Sequence, residues 1–169
     1  MKKHIVTILL AAILATSCGK APLPQTLSFE VLVQSSPFTE TSPPSQDVPN
    51  LIVIASLEEI SPPIPEFEFS DTMVTQLKAV DYEQSFAVLI LVGQMPTDGI
   101  ITEVNRMNEK VSIKVEGYTV GPGNYKLKGY SLPYQLISVE KEGSWNTDIE
   151  FILEEENGNI LGRTNHHIP

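Results

Sequence analysis

The sequence predicts an α+β, mostly β domain: seven or eight short, mainly antiparallel strands in a sandwich or partly closed barrel, with one or two short helices. Three observations carry that prediction. Apolar residues alternate with polar ones at Leu27, Phe29, Val31 and Val33, and again at Val111, Ile113 and Val115, the period of a strand with one buried face. Unbroken apolar runs at 51–55 and 86–92 have the length of strands covered on both sides. Asn157-Gly158, between two strand-like stretches, is a hairpin turn signal.

In chain order, the alternating stretch from Leu27 is followed at 35–50 by a loop with four prolines among serines and threonines. After the buried strand at 51–55, Ser56 and Glu59 have the spacing of a capping box, and Pro62, Pro63 and Pro65 end any helix there within a turn. A second short helix starts near Asp71 and places Met73, Leu77 and Val80 at i, i+4 and i+7, although Val74 and Thr75 are β-branched. The run at 86–92 closes on Gly93, and 94–99 is a turn. Residues 100–106 and 111–120 form a hairpin about 107–110, with a bulge suggested at Gly117. Residues 134–141, 148–154 and 159–164 are the remaining strands.

The N-terminus carries a different signal. Lys2, Lys3 and His4 precede an eleven-residue apolar run at 5–15, too short for a bilayer span of about 20 residues. Ala15, Thr16 and Ser17 then supply small residues for cleavage. The next residue, Cys18, is the single cysteine, and the stretch resembles the lipobox of bacterial lipoproteins. A plain secretory signal or an N-terminal membrane helix is the alternative. The organisation that follows is a signal at 1–17, a lipidated tether at 18–25 and one β-rich domain at 26–169. Lipidation implies an extracytoplasmic protein held to the membrane through acyl chains on Cys18. Gly19 in place of aspartate implies the outer membrane or the outer face of the cell membrane.

Loss of Lys2 and Lys3 with the signal takes the net charge from −10 to −12. Such a surface repels phosphate backbones and anionic headgroups, so no nucleic-acid partner is expected and lipid supplies the attachment. With Cys18 acylated, disulfides and thiolate chemistry are excluded.

No catalytic, cofactor or metal set is predicted. Ser138 and Lys141 spell S-x-x-K, but on a strand they point to opposite faces. His166 and His167 diverge as neighbours and read as a solvated tail. The acidic stretch 154–159 departs from a calcium-loop pattern and reads as a polar turn.

Three stretches resemble the PrcB-like protease-complex subunits, lipoproteins that share a PrcB C-terminal domain: Val80-Asp81-Tyr82 leading into 86–93, then Gly93-Gln94-Met95-Pro96-Thr97-Asp98-Gly99, and Gly121-Pro122-Gly123 followed by Leu132-Pro133-Tyr134-Gln135-Leu136-Ile137. The resemblance covers about residues 75–141. The family turn often ends Gly-Gly-Tyr, where this chain has Asp98 and Ile100, and Leu132 intervenes between Ser131 and Pro133. The resemblance implies a non-enzymatic partner-binding role, with an envelope protein or protease as partner. Pro96, Thr97, Asp98, Gly99, Pro133 and Tyr134 are the candidate binding residues. The same residues also have a structural reading: the prolines and glycines set turn dihedrals, and Tyr134 packs over a sheet edge. Two further functions stay open, a small-ligand binder with a cleft of Tyr118, Tyr125, Tyr130 and Trp145, and a hydrolase with a close pair of buried carboxylates.

Overall fold

Phe86, Val88 and Ile90 alternate along one strand with Ala87 and Leu89, and all five are buried. A strand apolar on both faces must lie between two layers, and in this protein the layers are a second sheet and a helix. The computed structural model describes residues 23–35, 38–39, 51–60, 69–91, 100–116, 130–131 and 134–169. Its strands are β1 (Gln25–Thr26), β2 (Phe29–Ser35), β3 (Phe38–Thr39), β4 (Leu51–Ile54), β5 (Ser85–Leu91), β6 (Ile100–Met107), β7 (Lys110–Glu116), β8 (Tyr130–Ser131), β9 (Tyr134–Glu140), β10 (Thr147–Glu155) and β11 (Ile160–Ile168). A 3₁₀ turn at Leu57–Ile60 and helix α1 (Asp71–Ala79) complete the order.

One sheet runs β1-β6-β7-β10-β11 and the other β2-β9-β5-β4, with β3 and β8 forming a small separate pair. The described residues therefore form a mostly β sandwich with an added helical layer and no closed barrel. Between the sheets lie Phe86, Val88, Ile90, Ile137 and Val139 from one side and Val104, Val111, Ile113, Ile149, Phe151 and Leu153 from the other. The opposite face of β5 and β9 presents Ala87, Leu89 and Leu136 to Met73 and Leu77 of α1. Each of these large side chains contributes about 1.5–3 kcal/mol by leaving water.

The helix forms as its spacing predicts. The Ser70 hydroxyl caps it by accepting from the Met73 N–H at 3.3 Å, and Thr75 donates to the Asp71 carbonyl at 2.8 Å. It ends at Ala79, because Val80 is extended. The hairpin β6–β7 turns through Asn108 and Glu109, with Asn108 at φ 58, a left-handed conformation that asparagine tolerates better than most residues.

Four expectations need correction. The alternation beginning at Leu27 does not persist, because a bulge between Val31 and Val33 shifts the register. Val33 therefore packs on the helix side with Leu32 instead of sharing the face of Phe29, and Val31, on edge strand β2, is 43 % exposed. The loop at 35–50 contains the short strand β3, paired with β8. Glu59 does not close a capping box on Ser56, since its carboxylate accepts from the Ala55 N–H at 2.8 Å. The pairing is mainly antiparallel as expected, with one parallel pair, β7 with β10, among the described residues. Finally, the C-terminal histidines are no tail: β11 continues to Ile168, whose side chain is fully buried. His166 meets Glu59 at 3.0 Å, and His167 meets Asp148 at 3.0 Å. The first contact ties β11 of one sheet to the turn that follows β4 of the other.

Candidate functional site

Strand register decides which connections share an end of the sandwich. Leu91, the last residue of β5, lies opposite Tyr134, the first residue of β9, and Tyr134 lies opposite Ser35, the last residue of β2. On the other sheet Ile100, the first residue of β6, lies opposite Glu116, the last of β7. Leu51 begins β4 opposite Ile90. The segments 36–50, 92–99 and 117–133 therefore all leave from and return to this one end, together with the β10–β11 turn. The opposite end holds the β6–β7 turn and the connection from β9 to β10.

Of the candidate binding residues, Tyr134 is half-buried and packs on the helix-side core. It belongs to an interior strand, so the expectation that it covers a sheet edge is corrected: β9 has β2 on one side and β5 on the other. Pro96, Thr97, Asp98, Gly99 and Pro133 lie outside the described residues, as does Cys18. The register nevertheless roots the two segments that carry them on paired residues, Leu91 and Tyr134.

Gln135 holds this end together. It is 1 % exposed, the one buried polar side chain among the described residues, and its position in β9 shares the inward face of Ile137 and Val139. Its amide oxygen accepts from the Ile101 N–H at 2.9 Å, and its amide nitrogen donates to the Gln34 side chain at 3.3 Å. One residue thereby joins both sheets beside the point where 92–99 enters β6. The sequence signal was a lone amide in an apolar strand, but its partners are 34 and 101 positions away.

The other candidates behave differently. Lys141 donates to the carbonyls of Tyr82 at 2.8 Å and Pro169 at 3.1 Å, and burial lowers its pKa against the opposing charge of Asp81. It is a strut between chain segments, one residue beyond the end of β9. Of the four aromatics expected to line a cleft, Tyr118 and Tyr125 lie outside the described residues. Tyr130 lies in β8, at the end where β9 begins, whereas Trp145 follows β9 at the far end. The Trp145 ring is already occupied: Phe86 packs at 5.3 Å between centroids and the Arg106 guanidinium lies 3.8 Å from its centre. Arg106 also donates to the carbonyls of Asn108 and Ser144, which fixes the β9–β10 connection to the hairpin β6–β7.

The outer face of the five-stranded sheet is polar. Glu150 pairs with Lys110 and Arg163, both at 3.1 Å, and a hydrogen bond from Lys114 holds the Glu103 carboxyl below its usual pKa. A recess of about 410 Å³ opens there beside Asn108, Glu109, Asp148 and Asn165. No carboxylate is buried among the described residues, and no three His, Cys, Asp or Glu side chains among them are placed to hold a metal ion. No helix among them is long and apolar enough to cross a membrane.

Tyr82 is the remaining unusual group. Its hydroxyl is buried with no hydrogen-bond partner among the described residues, and desolvation, with the nearby charge of Glu59, pushes its pKa up to about 12. Because the folded value exceeds the ordinary one near 10, the stabilisation from keeping this phenol neutral is complete below pH 10 and is lost as pH rises towards 12. The melting temperature is expected to fall between pH 9.5 and 11.5, and less steeply in Tyr82→Phe. At pH 7 the same variant is expected to be at least as stable as the parent, since it removes an unpaired buried hydroxyl.

No protein-family profile matches the chain, and neither a characterised protein nor a solved structure is significantly similar to it.

Proposed function

We propose that this chain is a non-enzymatic bacterial envelope lipoprotein, anchored through lipid on Cys18, whose domain binds or stabilises a partner protein. The resemblance to PrcB-like subunits makes an extracytoplasmic protease the partner class to try first. The observation that carries the reading is the common origin of 36–50, 92–99 and 117–133 at one end of the sandwich. Loops gathered at one end of a rigid sheet scaffold are a recurrent way to build a recognition surface. Gln135 supports it further, because it fixes the sheet-to-sheet spacing at that end.

Replacing Thr97 and Asp98 together with alanine tests this reading. Surface changes away from caps and buried networks usually stay within about 0.5 kcal/mol. The double variant is expected to keep its urea midpoint while losing crosslinked partner in envelope pull-downs. Unchanged recovery with unchanged stability removes the turn from the binding surface. A lowered midpoint instead assigns Asp98 to capping its own turn.

A further inference from the structure

The path by which the chain enters the domain sets which end faces the membrane. Gln25 pairs with Arg106 and Thr26 with Asn105, antiparallel, so the chain arrives from beyond the β6–β7 turn. The entry is firmly held. Gln25 donates to the Glu142 carboxylate at 2.7 Å, Thr26 to Asn105 at 2.9 Å, and the Leu27 N–H to the Val104 carbonyl at 2.8 Å. Leu27 is buried, whereas Leu23 is 87 % exposed, so the chain leaves the body of the domain just before β1.

Distances then constrain the whole molecule. From Cys18 to Gln25 there are seven residue steps, which span at most about 25 Å when fully extended. Strand β6, eight residues long, separates the two ends of the sandwich by about 25 Å. The end bearing the loop roots reaches the bilayer only if the tether folds back at full extension along the side of the domain. Any relaxed chain of seven steps averages about 15 Å end to end, so full extension is a small part of what such a length allows.

We infer that the lipidated protein stands on its β6–β7 end, with the loop end of the sandwich held away from the membrane. The near end carries Asp81, Glu83, Glu109 and Glu142 beside Arg106, Lys110 and Lys141, a mixed-sign end with no net basic attraction to draw the domain flat onto headgroups. The partner-facing end consequently addresses a protein that projects well clear of the bilayer, or a soluble one. This inference rests on the lipid anchor proposed above and goes beyond it by orienting the domain.

Energy transfer to acceptor-labelled headgroups tests it in full-length, acylated protein reconstituted in phosphatidylcholine vesicles. Acylated Cys18 leaves no thiol, so Glu109→Cys and Glu156→Cys each offer one labelling site, at the near and far ends respectively. Transfer is expected to be several-fold stronger from position 109. Inserting about 20 Gly and Ser residues after Lys20 is expected to erase most of that difference. Equal transfer from both positions in protein that floats with vesicles overturns the orientation alone. A contrast that survives the longer linker also overturns it, since the tether would not be its cause. Failure to float with vesicles removes the lipid anchor, and the orientation with it.

Discussion

Gln135→Leu is expected to destabilise the domain by about 2–3 kcal/mol, although leucine fills nearly the same space. The loss arises at the partners. The Ile101 N–H is left buried without an acceptor, which costs about 1–3 kcal/mol, and the bond to Gln34 is lost as well. The measurement is the urea midpoint, with hydrogen exchange at the Ile101 amide as a local probe. Exchange there is expected to accelerate more than at Val88, in the middle of β5. A change below about 0.5 kcal/mol would mean that the sheets are held at this end by apolar packing alone. Partner recovery in the same variant is expected to fall with stability, because Gln135 positions the loop roots and contacts no partner itself.

Cys18→Ala is expected to have the largest effect on location. Each acyl CH₂ buried in a bilayer contributes about 0.8 kcal/mol, so several chains on one residue anchor durably. An acidic mature domain has no compensating attraction to headgroups. The variant is expected to leave the membrane fraction or to accumulate as an uncleaved precursor, as fractionation and an intact-mass measurement would reveal. Cleaved protein that still requires detergent for extraction would refute lipidation at this residue.

Much of the fold was legible locally. The apolar run of β5 announced a strand covered on both faces, and Met73 and Leu77 announced which side of α1 is buried. The alternation of Val111, Ile113 and Val115 gave the inward face of β7, and Asn157-Gly158 gave the final hairpin. These features depend on neighbours within a few residues, which is the range over which periodicity and turn chemistry act.

The misreadings share a different cause. Alternation puts Val33 on the face of Phe29 and Val31 only when it is extended across a bulge that pairing with β9 creates. His166 and His167 read as a tail because the strand that holds them, β11, is fixed by partners elsewhere in the chain, among them Glu59 and Asp148. Trp145 was grouped with three tyrosines by residue type, while packing places it against Phe86 and Arg106 at the other end from Tyr130.

By itself the sequence determined that this is a mostly β domain with one or two short helices, an acidic composition and a lipobox-like start. Those properties follow from composition, period and local turn chemistry. Only the tertiary structure decided that β7 and β10 run parallel, that Gln135 bonds across both sheets, and that the strand ends bounding 36–50, 92–99 and 117–133 share one end of the sandwich. Each of these is set by strand register. Register is fixed by burying every inward side chain at once across partners far apart in the chain, a condition that no local window of sequence contains.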